Sequence, residues 1–310
     1  MTKDEKYVIR IMFKLRIHKK NGQEFEDFFC DIMEKYNNNF HPVKAHGKIG
    51  DKKNDGFDKV TGTYYQVHAP ENINKRETIY ESASKLKRDF TGLLEFWNAT
   101  CPIKKFFYVV NDKYSGNPPL IHKAIIELNK KYPNIEIDEF RAKDLEDIFF
   151  KLDEDDIIDI VGNPPDINID KLNFSELNEV IEYLINMEVT APDKESLIAP
   201  NFDKKIKINN LCDIFKNYLN IGSYNIGDLE KYFKNNSHSY KQTLRDKFNS
   251  IYNDSKKEIP ETDENFSDIR FQYILEKVLL NKKKAVFDAT IILMSYFFES
   301  CDIFEYPTRR

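Results

Sequence analysis

Cysteine and long apolar runs are scarce in this chain of 310 residues. Its four cysteines lie far apart and form no C-x-x-C pair, which argues against a zinc site or a disulfide framework and favours a reducing cytoplasm. The longest apolar stretch, residues 285–298, contains Asp288 and is too short to span a bilayer, so we expect a buried helix there. The first ten residues, MTKDEKYVIR, are charged and lack the apolar core of a secretory signal. We therefore expect a cytoplasmic protein without a membrane segment.

Several sequence motifs of common enzymes are also missing. The chain has no GxxxxGK[ST] loop for nucleotide phosphates, no HExxH pair for zinc and no GxSxG nucleophile turn. We therefore do not expect this chain to hydrolyse ATP itself or to act as a zinc protease or serine hydrolase.

Charge is distributed unevenly along the chain. The net charge is −5, but residues 1–100 hold 18 Lys and Arg against 15 Asp and Glu, while the remainder holds 29 against 37. The N-terminal part could therefore hold a phosphate-binding surface, with an ordinary solvated surface as the alternative, whereas the acidic remainder is poorly suited to bind DNA on its own. Hydrophobic residues make up 41% of the chain, which is enough for a sizeable core, and the length suits two domains.

The N-terminal half alternates between helical and strand-like patterns. This alternation predicts an α/β fold with a mixed or parallel sheet covered by helices on both faces. The predicted helices are 22–36, 82–97, 119–131 and 142–152, and the predicted strands are 63–68, 105–110 and 135–140, with a further strand around 43–48.

A domain boundary is predicted at GNPPD, residues 162–166, where proline and glycine interrupt the pattern after an acidic stretch. Residues 1–162 would form the α/β domain and residues 163–310 an all-α C-terminal domain for partner docking or oligomerisation. The second part is expected to be almost wholly helical. A helical stripe runs along residues 177–185, and further helices are predicted over 203–218, 227–233, 241–252, 266–280 and 285–298.

Candidate metal ligands gather around the segment GDKKNDGFDKVTGTYYQVHAPE, residues 50–71. Asp55 lies in a glycine-rich turn, and Gln66 and His68 share one face of the following strand because side chains alternate along a strand. Glu26, on the first predicted helix, could supply another acid. Mg²⁺ or Mn²⁺ prefers oxygen ligands and needs few from the protein, so these residues suit phosphodiester hydrolysis.

The motifs GxxFE (residues 22–26), GDxxNDG (50–56) and YYQVHAPE (64–71) resemble PD-(D/E)xK restriction endonucleases of the Mrr-like kind. The resemblance implies that Glu26 is the helix acid, Asp55 the turn acid and Gln66 the glutamine of a Q-x-K variant. His68 stands where that family has lysine. Either His68 replaces this lysine, or Lys85 or Lys87 of the next helix reaches the site, and an i,i+4 pair with Asp89 would orient Lys85.

Further segments extend the resemblance over nearly the whole chain. QVHAPE, KLKRDFxGLLEFW, FFYVVND and GNPPD, with NFDKKIKINNL and YFFESCDIFEYP towards the C-terminus, resemble nuclease effectors of Lamassu-type ABC three-component anti-phage systems. This resemblance implies a complex with an SMC-like ABC ATPase and a small middle subunit, and DNA cleavage after invader DNA is sensed.

Three functions remain open from the sequence. The first is a Mg²⁺- or Mn²⁺-dependent DNA endonuclease that partner subunits restrain until release or homo-oligomerisation. The second is a catalytically inactive nuclease-fold subunit that binds DNA or acts as a scaffold. The third, a helical adaptor unrelated to nucleic acid, leaves residues 50–68 unexplained.

Overall fold

The chain divides into two compact units, with boundaries after Leu15 and after Gly162. In the computed structural model, residues 16–162 form one unit, and residues 1–15 with 163–310 form the other. The structure describes residues 1–47, 50–73, 75–165, 173–188, 202–235, 238–300 and 303–305. Residues 1–15, which the sequence analysis assigns to the α/β domain, thus belong to the helical unit. Two side-chain contacts hold them there: Tyr7 Oη donates to Asp268 at 2.5 Å, and Lys14 Nζ donates to Asp263 at 3.0 Å.

The described part of the chain contains five strands and thirteen helices. The strands are β1 Phe40–Pro42, β2 Gly56–Asp58, β3 Thr63–His68, β4 Lys105–Val110 and β5 Glu136–Arg141. The helices are α1 Lys3–Lys19, α2 Gly22–Tyr36, α3 Arg76–Trp97, α4 Pro119–Lys131, α5 Ala142–Phe149, α6 Glu154–Val161, α7 Phe174–Asn186, α8 Phe202–Ile208, α9 Asp213–Ser223, α10 Ile226–Asn235, α11 His238–Glu258, α12 Phe266–Val278 and α13 Lys284–Glu299.

The sheet of the first unit is mixed and has the order β1-β2-β3-β4-β5. β1, β2 and β3 pair antiparallel, with Gly56 opposite Tyr65, whereas β3, β4 and β5 pair parallel, with Thr63 opposite Lys105. Helices connect the parallel strands, as parallel pairing requires. The predicted α/β class with a mixed sheet is therefore confirmed.

Helices cover both faces of the sheet, which explains why β3 and β4 are rich in aromatic and β-branched residues. On one face, Leu86, Phe90 and Leu93 of α3 pack in a core that includes Tyr64 and Phe106. On the other face, Phe29 of α2 forms edge and tilted ring contacts with Phe40, Tyr65 and Phe140. The site-bearing strand β3 is thus fixed between two aromatic layers.

The second unit is built around α13. Every residue from Val286 to Phe298 is buried, which is the pattern of a helix surrounded by others, as the apolar stretch predicts. Gly222 of α9 allows close packing here, because a Cβ atom at this position would lie 2.2 Å from Ser295 Oγ. None of the described helices is long and apolar enough to cross a membrane.

Several elements differ from the sequence prediction: α6 was not predicted, and α3 begins at Arg76 and not at residue 82. α1 was not predicted, because its buried side chains occupy more than one stripe and charged residues interrupt them. The short β2 was missed, and the strand expected around 43–48 lies earlier, at Phe40–Pro42; residues 48 and 49 are outside the described part. The helix expected over 203–218 is two helices, because Asn210 adopts a left-handed conformation with φ of 48° between them.

Candidate active site

Asp55 is fixed by the backbone at the point where β2 begins. Its N–H donates to Tyr65 O of β3 at 3.0 Å, and its carbonyl accepts from Val43 N at 3.0 Å. The residue is 3% exposed, so its carboxylate is enclosed beside the middle of β3. The antiparallel β2–β3 hairpin thereby brings the turn acid to the strand that carries Gln66.

Asp55 and Gln66 form a direct pair. Gln66 Nε2 donates to Asp55 Oδ2 at 2.7 Å, and the backbone N–H of Val67 donates to the same oxygen at 2.5 Å. An ionised carboxylate only accepts hydrogen bonds, so with Asp55 ionised the Gln66 amide turns its nitrogen towards Asp55 and its oxygen away. Gln66 Oε1 is buried and has no hydrogen-bond partner among the described residues. An oxygen in that state costs about 1–3 kcal/mol, which a ligand that it coordinates could offset.

The surroundings of Asp55 favour its protonated form. Burial raises the pKa of its carboxyl to about 7, and the negative charges of Glu26 and Asp51 add to the rise. The Val67 N–H and the positive charge of Lys85 act in the opposite direction. A carboxylate that is costly to ionise is stabilised by any cation bound beside it. This electrostatic environment therefore suits a metal ligand.

Glu26 lies on α2, near enough for its charge to act on Asp55. It is partly exposed, and its Oε1 accepts from Gln23 Nε2 at 2.9 Å. Its charge raises the pKa of both Asp55 and the buried thiol of Cys30. Glu26 thus contributes negative potential to the site, and its carboxylate remains partly in water.

His68 is held as a neutral ring. Its Nε2 lies 2.7 Å from Ser82 Oγ, and the Ser82 hydroxyl donates to Thr78 O at 2.6 Å. Ser82 therefore accepts from His68, which places the ring proton on Nε2. Burial, with a smaller effect of the Lys85 charge, lowers the pKa of His68 to about 4. A neutral imidazole stacked on Tyr108 cannot supply the positive charge of a lysine.

The two candidate lysines of α3 point to different surroundings. Lys85 Nζ donates to Asp89 Oδ2 at 2.7 Å, which confirms the predicted i,i+4 pair, and its charge acts on both Asp55 and His68. Lys87 instead pairs with Glu127 of α4 at 2.5 Å. Of the three candidates for the motif lysine, the geometry therefore favours Lys85.

Few acidic side chains surround the candidate metal site. In the parts of the chain that the structure describes, no three His, Cys, Asp or Glu side chains form a metal-binding group. Asp55 and Gln66 offer two oxygen donors, with Glu26 nearby. This set fits Mg²⁺ or Mn²⁺ better than a softer metal, since Mg²⁺ retains several waters and takes few protein oxygens.

The sequence pattern does not predict that Asp89 is buried. It lies in SKLKRDF, where alternating charges predict a solvated helix face, yet its side chain is fully buried and contacts three cations. The signal available from the sequence is its position three residues after Leu86 and one before Phe90, both core residues of α3.

Comparison with known proteins gives a match in the helical unit. Residues 175–305 match the family model described as C-terminal domain 10 of the ABC-three component (ABC-3C) systems. The chain carries a C-terminal domain of an ABC-3C system. It is thus a component of such a system, which implies partner subunits. No curated protein and no solved structure matches the chain. The predicted relation to ABC three-component systems is confirmed at this level.

Proposed function

We propose that this ABC-3C component is a metal-dependent DNA endonuclease, with a PD-(D/E)xK-like fold in its α/β unit. It would act as the nuclease effector of a Lamassu-type anti-phage system. The observation that carries the proposal is the buried, unpartnered Oε1 of Gln66 beside the enclosed carboxylate of Asp55. A buried pair of oxygens with one left unsatisfied is what a hard cation would complete.

The order of elements supports the same proposal. A helix carries Glu26, an antiparallel hairpin carries Asp55 and Gln66, and a following helix carries Lys85 before the parallel strand β4. In this order the charges of Glu26 and Lys85 both act on Asp55, which is paired with Gln66. The arrangement suits phosphoryl chemistry, in which the protein mainly positions charge.

Each side chain has a role that follows from its contacts. Asp55 and Gln66 would hold Mg²⁺ or Mn²⁺, and Glu26 would add negative potential or a further ligand. The metal would supply Lewis acidity at the scissile phosphate. Lys85, about one-third exposed and held by Asp89, would stabilise the charge that develops on the phosphate or orient the attacking water.

Regulation is assigned to the helical unit. ABC-3C membership implies partner subunits, and we propose an SMC-like ABC ATPase and a small middle subunit that keep the nuclease inactive until invader DNA is sensed. Release or homo-oligomerisation would then expose the site to DNA. A nuclease without such restraint would damage the host chromosome.

Plasmid cleavage tests the proposal directly. Purified protein would be incubated with supercoiled plasmid in Mg²⁺, Mn²⁺ or EDTA, alone and with the partner subunits, ATP and DNA ends. We expect metal-dependent nicking or linearisation that Asp55→Asn and Gln66→Leu abolish, whereas Lys87→Gln retains it. Cleavage that survives Asp55→Asn would show that the site lies elsewhere.

A second candidate function is a catalytically inactive DNA-binding or scaffold subunit. It is favoured by His68, which is neutral and stands where the resembling family has a lysine. Calorimetry with Mn²⁺ separates the two functions. The nuclease requires Mn²⁺ binding that Asp55→Asn removes, whereas an inactive subunit would bind no metal and cleave no DNA even with its partners present.

A further inference from the structure

A buried carboxylate on α3 contacts three cations. Asp89 is 1% exposed, and Lys85 Nζ donates to its Oδ2 at 2.7 Å. Lys53 Nζ lies 3.3 Å and Arg88 Nε 3.4 Å from its other oxygen, Oδ1. Neither of these two contacts has the angles of a hydrogen bond, and Oδ1 accepts none from the described residues. Lys53 and Arg88 are therefore held mainly by charge, and their side chains are 44% and 68% exposed, so both can also reach a ligand.

The turn that carries Lys53 is strained. Lys52 and Lys53 are consecutive non-glycine residues with φ of 55° and 66°. Such conformations are rare for residues with a Cβ atom and persist where surrounding contacts hold them. One contact is the Lys53–Asp89 pair, and another is the stem of Lys53 over Gly92, where an added Cβ would lie 3.3 Å from Lys53 Cγ. The turn is thus fastened to α3 two residues before Asp55.

The charges in contact with Asp89 are all positive. Burial raises the pKa of Asp89, but the hydrogen bond and charge of Lys85, together with the charge of Lys53, outweigh it and hold the pKa below its ordinary value. Asp89 is therefore ionised, and one negative charge faces three positive ones. Lys85 and Arg88 line one groove along α3, and Lys53 and Gly92 line the next. Acids also border these grooves: Glu81 lies in the first, and Asp51 and Glu95 lie in the second.

We propose that Lys53 and Arg88, positioned by Asp89, bind the backbone phosphates of duplex DNA that flank the phosphate at Asp55. This inference rests on the proposed nuclease function and deepens it by naming how the substrate is held. Asp89 is a positioning residue here, since it is buried and acts through its cations. Arginine suits the role because its planar fork matches two phosphate oxygens. The Asp89 carboxylate keeps both cations beside the site before DNA arrives, which lowers the ordering cost of binding.

DNA binding without divalent metal tests this site separately from cleavage. A fluorescein-labelled duplex of about 20 base pairs would be titrated in EDTA between about 50 and 200 mM salt, and anisotropy would be measured. We expect Lys53→Gln and Arg88→Gln each to weaken binding about three- to tenfold at low salt. Each should also lower the slope of log K against log salt by about 0.9, the value for one phosphate contact.

Lys87→Gln is the matched control. It removes one positive charge from α3, the helix that carries Arg88, at a lysine that pairs with Glu127. It should leave the slope unchanged. Lys53 and Arg88 variants that behave like Lys87→Gln would overturn the inference.

Asp89→Asn tests positioning, because two explanations predict opposite signs. If Lys53 and Arg88 were free surface charges, removing a negative charge would strengthen DNA binding. If Asp89 positions them, binding weakens even though the protein gains positive charge. The melting temperature would be recorded to show that the variant is folded, and Asp89→Glu should recover part of the affinity.

The failure of this inference differs from the failure of the proposed nuclease. If Mn²⁺ binds at Asp55 and duplex binding does not depend on Lys53 and Arg88, the proposed metal site stands and the proposed phosphate site is wrong. If duplex binding depends on Lys53 and Arg88 but the protein binds no Mn²⁺ and cleaves no DNA, the proposed phosphate site stands and the proposed nuclease function is wrong.

Discussion

Gln66 is buried with an unpartnered amide oxygen, so substitution of this residue tests whether the site binds a ligand. Its Nε2 is committed to Asp55, so Oε1 has no protein partner in the described part of the chain. In a structural role, leucine would fill the same space without that cost. We propose that a ligand completes this pair, and the response of the pair to substitution distinguishes a ligand site from a packing site.

Gln66→Glu should make the site depend more strongly on metal. A second carboxylate beside Asp55 puts two like charges in a buried space, which should destabilise the metal-free protein by about 1–3 kcal/mol above neutral pH. Saturating Mn²⁺ should reverse this loss, because two carboxylates bind a divalent cation more tightly than a carboxylate and an amide. Melting temperatures in EDTA and in Mn²⁺ would measure both effects. Equal shifts for Gln66→Glu and native protein on adding Mn²⁺ would contradict a metal at this pair.

The raised pKa of Asp55 predicts how stability changes with pH. Its value is about 7 in the folded chain and 3.8 ordinarily, so the folded state binds more protons than the unfolded state between these values. Stability contributed by this group should be fully present below about pH 4 and should fall by about 1 kcal/mol per pH unit as pH rises towards 7. Above about pH 7 the effect should level off.

Asp55→Asn removes this proton-linked contribution and keeps the shape of the side chain. The difference in melting temperature between native protein and Asp55→Asn should therefore shift in favour of the variant as pH rises from about 5 to 7. Melting curves in EDTA at about pH 5, 6, 7 and 8 would measure it. A difference that stays constant over this range would show that Asp55 titrates normally.

At the scale of elements, the sequence predicts most helices and strands that carry the candidate site, but it does not predict how the candidate site is supported. The bounds of α2, α4, β3 and β4 agree with the structure, since amphipathic helices and compact apolar strands have strong patterns. β2 has three residues and too little pattern to predict, although it sets the contact between Asp55 and β3. The burial of Asp89 could not be predicted either, because tertiary packing against the turn at Lys53 decides it.

Gly92 lies inside α3 and packs beside the stem of Lys53 in the neighbouring turn. Gly92→Ala should stabilise α3 by up to about 1 kcal/mol, since glycine is unfavourable inside a helix. The new Cβ would lie 3.3 Å from Lys53 Cγ, a flexible and half-exposed stem that can move aside. We therefore expect a higher melting temperature together with weaker DNA binding, similar to Lys53→Gln. Unchanged DNA affinity would show that the position of Lys53 over Gly92 is unimportant.

At the scale of the whole molecule, the division of the chain differs from the domain boundary that the sequence predicts. The break at Gly162 lies where proline and glycine interrupt the pattern, but residues 1–15 group with the helical unit. No local pattern could show this, because the contacts of Tyr7 and Lys14 are made with residues about 250 positions away.

This division predicts which shortened chain can be studied alone. In a chain of residues 1–162, the buried side chains of Val8, Ile9, Ile11 and Met12 would lose the unit to which residues 1–15 belong and would be exposed to water. Exposed apolar clusters of this size promote association. A chain of residues 16–162 lacks that surface and keeps the whole sheet and the Asp55–Gln66 pair. We expect it to elute as a monomer in size-exclusion chromatography and to melt cooperatively, whereas residues 1–162 aggregate. If the longer chain is instead the monomeric one, residues 1–15 stabilise the α/β unit, and the boundary at residue 15 has no independent physical meaning.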